Sequence, residues 1–132
     1  MPHLLHIARR KTHCKVLGPG TRAVIWTHGC SRSCPGCIAK EMNASVEIET
    51  FTPEALFQWV ASIDGIEGIT ISGGEPFEQD LEAFLSFLKL LRNDSSNLSV
   101  FCYTGYFLEE LSRNPATAAV LQKIDILVDG PY

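Results

Sequence analysis

The sequence predicts an α/β fold, an incomplete (partial) parallel β/α barrel whose curved, mostly parallel sheet carries its helices outside. Three observations predict it. Short β-branched and aromatic runs alternate with amphipathic helical stretches along the chain. Strand–helix–strand units at this interval pair in parallel through right-handed crossovers. At 132 residues the chain is too short for a closed eight-stranded barrel, which takes about 200 residues or more.

The elements follow in order. Leu4 to His13 reads as a first strand, and Gly18-Pro19-Gly20 as a turn. Arg22 to Thr27 (RAVIWT) is a second strand that leads directly into a group of cysteines. Thr52-Pro53-Glu54 combines a capping hydroxyl, a proline suited to the first helical position and an acid near the positive dipole end. Leu56, Trp59, Val60 and Ile63 continue that helix at the right spacing, and Gly65 suits its stop. Gly68 to Ser72 (GITIS) is a short strand running into Gly73-Gly74. From Asp80 onward, Leu81, Phe84, Leu85, Leu88 and Leu91 give the clearest amphipathic helix. Leu98 to Tyr103 is a strand ending at Thr104-Gly105-Tyr106. Helical pieces around Phe107 to Arg113 and Thr117 to Lys123 are split by Pro115. Asp125 to Val128 is the last strand.

Composition narrows the function classes. Hydrophobic residues make up 45% and charged residues 20%, the balance of a globular chain with one core rather than a disordered one. A single domain over residues 1–132 is expected. The net charge of −4 gives no footprint for nucleic acid, since Arg9-Arg10-Lys11 is the sole basic run. No apolar stretch approaches the roughly 20 residues of a membrane span, and no signal-peptide core opens the chain. A cytoplasmic protein with no membrane partner is expected.

The five cysteines stand at positions 14, 30, 34, 37 and 102. Their odd number and clustering argue for a metal site rather than a disulfide framework. Cys30, Cys34 and Cys37 form Cys-x-x-x-Cys-x-x-Cys, a spacing that wraps three soft thiolates around one small object. Two chemistries fit. Zinc wants a fourth ligand, for which His28, His13 and Cys14 are candidates. A cubane iron–sulfur cluster held by three cysteines leaves one iron open, an arrangement suited to catalysis. Cys14 and Cys102 read as small buried hydrophobes. Of the four histidines, His28 alone stands beside the cysteine loop.

A second motif, Ser72-Gly73-Gly74-Glu75-Pro76, lies between a strand and a helix. Two glycines permit positive φ and close approach of a ligand to the backbone. In the predicted fold the cysteine loop, Gly73 to Pro76 and Thr104 to Tyr106 all fall at the carboxyl ends of strands, where ligands gather in such sheets. Glu75 is open to two readings, a cofactor contact or an acid starting the next helix. Thr104 likewise borders a pocket or caps a helix. Asp129-Gly130 reads as an ordinary loop.

The cysteine spacing resembles the cluster loop of the radical S-adenosylmethionine superfamily. Gly18-Pro19-Gly20-Thr21-Arg22 leading into a strand and Gly29-Cys30 resembles its glycyl-radical-enzyme activases. Cys34-Pro35-Gly36-Cys37 is similar to the anaerobic ribonucleotide reductase activating type. Gly36 departs from the aromatic residue that many superfamily members carry there. The resemblance spans roughly Leu17 to Tyr132.

It implies a 4Fe-4S cluster on Cys30, Cys34 and Cys37, and S-adenosylmethionine bound along Gly73, Gly74, Glu75 and Pro76, with Thr104 at the pocket border. It implies an anaerobic oxidoreductase that reductively cleaves S-adenosylmethionine to a 5′-deoxyadenosyl radical, with no side-chain acid or base required. The partner would be a glycyl-radical enzyme such as anaerobic ribonucleotide reductase, and the reductant a flavodoxin- or ferredoxin-type donor. The same motifs would serve a radical enzyme acting on a peptide or small molecule, and the cysteines alone would serve a non-catalytic metal-binding module. The family resembled continues past Asp129-Gly130 whereas this chain stops at Tyr132, implying a short C-terminus.

Overall fold

In the computed structural model of the chain, residues 3–28, 48–93 and 98–130 are described. Six strands form one sheet: β1 (Leu5–Cys14), β2 (Arg22–Thr27), β3 (Glu49–Phe51), β4 (Gly68–Gly73), β5 (Ser99–Tyr103) and β6 (Ile126–Val128). Their spatial order is β3-β1-β2-β4-β5-β6. The helices are α1 (Pro53–Ala61), α2 (Leu81–Asn93), α3 (Leu108–Arg113) and α4 (Pro115–Leu121), with a 3₁₀ turn at Pro76–Glu78. The fold is mixed α/β.

β2, β4, β5 and β6 are mutually parallel. β1 runs antiparallel to both its neighbours, β2 and β3. The cause is connection length. Only residues 15–21 separate β1 from β2, too few for the crossover of a dozen or more residues that a parallel pair needs.

Local chemistry sets the helix starts as the sequence implies. Thr52 accepts from the Ala55 amide and Pro53 occupies the first turn of α1. Asp80 accepts from the Ala83 amide at the start of α2. Pro115 separates α3 from α4 and also opens α4, with Asn114 capping the Ala116 amide.

Alternation along the strands gives the sheet two unlike faces. Ala23, Ile25, Ile69, Ile71, Val100 and Cys102 join Leu56, Val60, Phe84, Phe87 and Leu88 of the helices in one core. The opposite face carries Arg22, Val24, Thr70 and Phe101. Its amino end is plugged by Arg22, which is 1% exposed. The guanidinium donates to Thr70 Oγ1 (2.9 Å), the Pro19 carbonyl (3.2 Å), Ser99 Oγ (2.8 Å), and the Ile69 and Ser99 carbonyls (both 2.7 Å). It also lies over the Phe101 ring at 4.3 Å. Thr70 in turn donates to the Leu17 carbonyl. The Gly18-Pro19-Gly20 turn therefore folds over the amino end of this face. Gly18 has φ +127°, and a Cβ there would lie 2.8 Å from Arg22 Cδ. Toward the carboxyl end of the same face, Trp26, Ser72 and Tyr103 are half-buried.

Candidate functional site

The carboxyl ends of the parallel strands bring the predicted loops to one edge. Thr27 pairs with Gly73, and the Gly74 amide donates to the Thr27 carbonyl at 2.9 Å. The chain thus leaves β2 for Cys30 immediately beside the glycine pair. Cys30, Cys34 and Cys37 themselves lie outside the described residues. Gly73 has φ +101°, and a Cβ on it would sit 2.5 Å from the Thr27 amide nitrogen and 2.6 Å from its carbonyl oxygen. Glycine at this position is a requirement of strand packing, whatever ligand approaches the turn.

Glu75 is 1% exposed and holds two loops together. Its carboxylate accepts from the Thr104 hydroxyl (2.7 Å), the Gly105 amide (2.7 Å) and the Phe77 amide (3.1 Å). The side chain that the sequence left open between cofactor contact and helix start does a third thing: it ties the β4 loop to the β5 loop. Thr104 is buried in this tie and also accepts from the Tyr106 amide at 3.2 Å. Tyr106 adds a second link, its hydroxyl donating to Glu78 at 2.8 Å. Pro76 is buried at the start of the 3₁₀ turn. Asp129, as expected of an ordinary loop, accepts from the Leu108 amide and fixes the start of α3.

Burial holds the Glu75 carboxyl above its ordinary range, against the three donors that favour the anion. A raised pKa means that the folded chain takes up this proton more readily than the unfolded chain. The stability it contributes is complete below the unfolded value and declines as pH rises through the folded one. Wild-type apoprotein should therefore lose stability relative to Glu75→Gln as pH climbs from the ordinary carboxylate range, read by urea denaturation at each pH. Glu75→Ala, which orphans the Thr104, Gly105 and Phe77 donors, should cost about 2–4 kcal/mol. A variant within about 0.5 kcal/mol of wild type would contradict the tie.

The remaining candidates separate cleanly. Cys14 pairs with Arg22 at the amino end of β2, and neighbouring His13 donates through Nε2 to the Asp64 carbonyl (2.8 Å). Both stand a strand's length, roughly 16 Å, from the point where the cysteine loop begins. They are poorly placed to complete a zinc site with Cys30. Cys102 is fully buried in the core, where burial pushes its thiol well above the ordinary value. His28, at the mouth of the loop, keeps a buried Nδ1 with no hydrogen-bond partner among the described residues. No group of three His, Cys, Asp or Glu poised to hold a metal occurs among the described residues. A cleft of about 310 Å³ opens at the same edge, lined by Leu4, His6, His28, Glu78, Gln79 and Asp80.

Two functional positions escaped the sequence reading. Arg22 was visible only as the last residue of a Gly-Pro-Gly-Thr-Arg stretch. Gln79 is a lone polar residue after a turn, and no local signal marks it.

A mixed sheet whose cysteine-bearing loop follows β2 directly, beside the glycine turn that ends the parallel strand β4, defines the class. Residues 16–132 match the family described as "4Fe-4S single cluster domain", and the chain belongs to that family. Among curated proteins, it is similar to the anaerobic ribonucleoside-triphosphate reductase-activating proteins of Salmonella typhi and Escherichia coli (strain K12). Each is 32% identical over 122 residues, covering 89% of this chain and 78% of the relative. The protein of the same name from Enterobacteria phage T4 is 25% identical over 120 residues, covering 89% of this chain and 74% of the relative.

Proposed function

We propose that the chain is a radical S-adenosylmethionine activase that installs a glycyl radical on an anaerobic ribonucleotide reductase. The observation that carries this reading is the bond from the Gly74 amide to the Thr27 carbonyl, which sets the start of the cysteine loop beside the glycine turn. The names of the relatives supply the partner class.

The residues fit a three-thiolate cluster. Cys30, Cys34 and Cys37 offer a soft donor set on one short loop, the alternative ligands His13 and Cys14 are at the far edge, and His28 Nδ1, at the loop's root, is a buried polar atom with no hydrogen-bond partner among the described residues. In this reading those cysteines hold the 4Fe-4S cluster. Gly73, Gly74, Glu75 and Pro76 present backbone to the amino group of S-adenosylmethionine, whose ammonium seeks carbonyl acceptors. Thr104 borders the pocket through its tie to Glu75, so the Glu75 carboxylate acts by shaping the loop rather than by touching the cofactor. When bound, cluster and cofactor supply one-electron cleavage of a carbon–sulfur bond and the hydrogen abstraction that follows. The chain's own part is to aim that chemistry along the open face of the sheet, past Trp26, Ser72 and Tyr103, and to keep water from it.

The same reading makes residues 1–132 one domain and the sheet an incomplete barrel with its helices outside. It places the protein in the cytoplasm with a flavodoxin- or ferredoxin-type electron donor. Among the described residues no helix is long and apolar enough to cross a membrane. The test is electron paramagnetic resonance. Reconstituted, reduced protein with S-adenosylmethionine and an anaerobic ribonucleotide reductase should generate a glycyl-radical doublet on the reductase. A cofactor-cleaving preparation that leaves the reductase radical-free would overturn the choice of partner.

A further inference from the structure

We infer that Gln79 is the positioning residue that sets the cysteine loop on its course, through the main chain of His28. The inference rests on the proposed metal site and adds a residue to it. β1 and β2 are antiparallel with Ile7 opposite Thr27, so the next rung places His6 opposite His28. In a closed rung of this type the two residues exchange both N–H···O bonds. Here only one direct bond forms, from the His28 amide to the His6 carbonyl at 2.9 Å. The other is replaced by a side-chain amide inserted between the strands. Gln79 Oε1 accepts from the His6 amide at 2.9 Å, and Nε2 donates to the His28 carbonyl at 2.7 Å. The partners fix the orientation of the amide, because a main-chain N–H can only donate and a carbonyl can only accept.

This wedge occupies a telling place. Gln79 is 8% exposed, follows the 3₁₀ turn directly, and so connects the β4 loop to the last residue before the cysteine loop. Cys30 is two residues beyond His28. The inserted amide holds the His28 carbonyl on a side chain of the β4 loop instead of on the His6 amide, and so fixes the last described residue before the first thiol. Glu75 and Gln79 divide the work: one ties the β4 loop to β5, the other ties it to β2. A residue that orients a ligand-bearing segment in this way belongs to the support around a metal site, where loss of one partner costs roughly 10- to 100-fold in metal affinity.

The test uses the full chain, anaerobically reconstituted, as Gln79→Met and Gln79→Glu, with Cys30→Ala alongside. Met removes both bonds. Glu keeps an acceptor for the His6 amide but loses the donor to His28. Iron loss to a ferrous chelator and the resonance spectrum of the reduced cluster are read on each, with far-ultraviolet circular dichroism of the apoprotein as the folding control. Both Gln79 variants are expected to fold, to lose iron roughly 10- to 100-fold faster than wild type, and to show a broadened spectrum. Wild-type iron retention and spectrum in Gln79→Glu would overturn the inference, as would failure of both variants to fold, which would make Gln79 a purely structural residue. Normal loading of Cys30→Ala would instead sink the metal-site reading itself, so the two failures are distinguishable.

Discussion

Alanine at Cys30, Cys34 or Cys37 is expected to abolish cluster loading, each variant alone being sufficient. A cluster held by three protein thiolates has no spare ligand, and losing any one of them leaves a second iron without a protein anchor. Iron content should fall from about four per chain to a small fraction of that, and the brown absorbance should vanish. Cys102→Ala and Cys14→Ala provide the contrast. Cys102 is shut in the core with its thiol held protonated by burial, and Cys14 lies at the opposite edge of the sheet. Both variants should load normally. Equal loss in all five would show that general destabilisation, rather than ligation, explains the effect.

Arg22→Ala should produce the largest loss of stability in the chain. The guanidinium makes five hydrogen bonds and stacks on Phe101, with no carboxylate bonded to it among the described residues. Burial pulls its pKa below the ordinary value, yet an arginine remains charged across the working range. Truncation would orphan the carbonyls of Ile69 and Ser99 and leave the amino end of the face empty. A cost of about 3–5 kcal/mol follows, or a fall in apoprotein Tm of roughly 10–20 °C, against a total stability of roughly 5–15 kcal/mol. Arg22→Lys, with a single point of donors in place of a fork, should fall between wild type and alanine. A lysine variant as stable as wild type would contradict the role of the fork.

What the sequence disclosed, it disclosed through local chemistry. The β-branched run Arg22–Thr27 and the Thr52-Pro53 helix start correspond to β2 and α1 because propensity and capping act within a few residues. β3 was invisible: Glu49–Phe51 is three residues, largely exposed, and is a strand only because β1 lies beside it, with Leu5 opposite Phe51. The antiparallel course of β1 was legible in principle from the brevity of residues 15–21, but the repeating strand–helix pattern downstream pointed the other way. At the site, the convergence of the glycine turn with the end of β2 followed from the order of elements. The partner of Glu75 did not, since Thr104 and Gly105 are about 30 residues away. Gln79 was beyond reach for the same reason, its role depending on the register of a strand pair more than 50 residues upstream.

The glycine turn shows how packing and function meet at one residue. Gly73 answers to the backbone of β2, which leaves no room for a Cβ, so its presence in the proposed cofactor-binding motif also reflects how tightly β4 must close on the strand that feeds the cysteine loop. A site assembled by such close approach needs its loops tied, and Glu75, Tyr106 and Gln79 supply the ties.

The most direct measurement is the yield of 5′-deoxyadenosine from anaerobically reconstituted, reduced protein given S-adenosylmethionine. A cluster on the β2 loop facing the β4 glycine turn predicts stoichiometric formation of 5′-deoxyadenosine and methionine, lost in Cys30→Ala. A fully loaded, reduced protein that leaves the cofactor intact would contradict it.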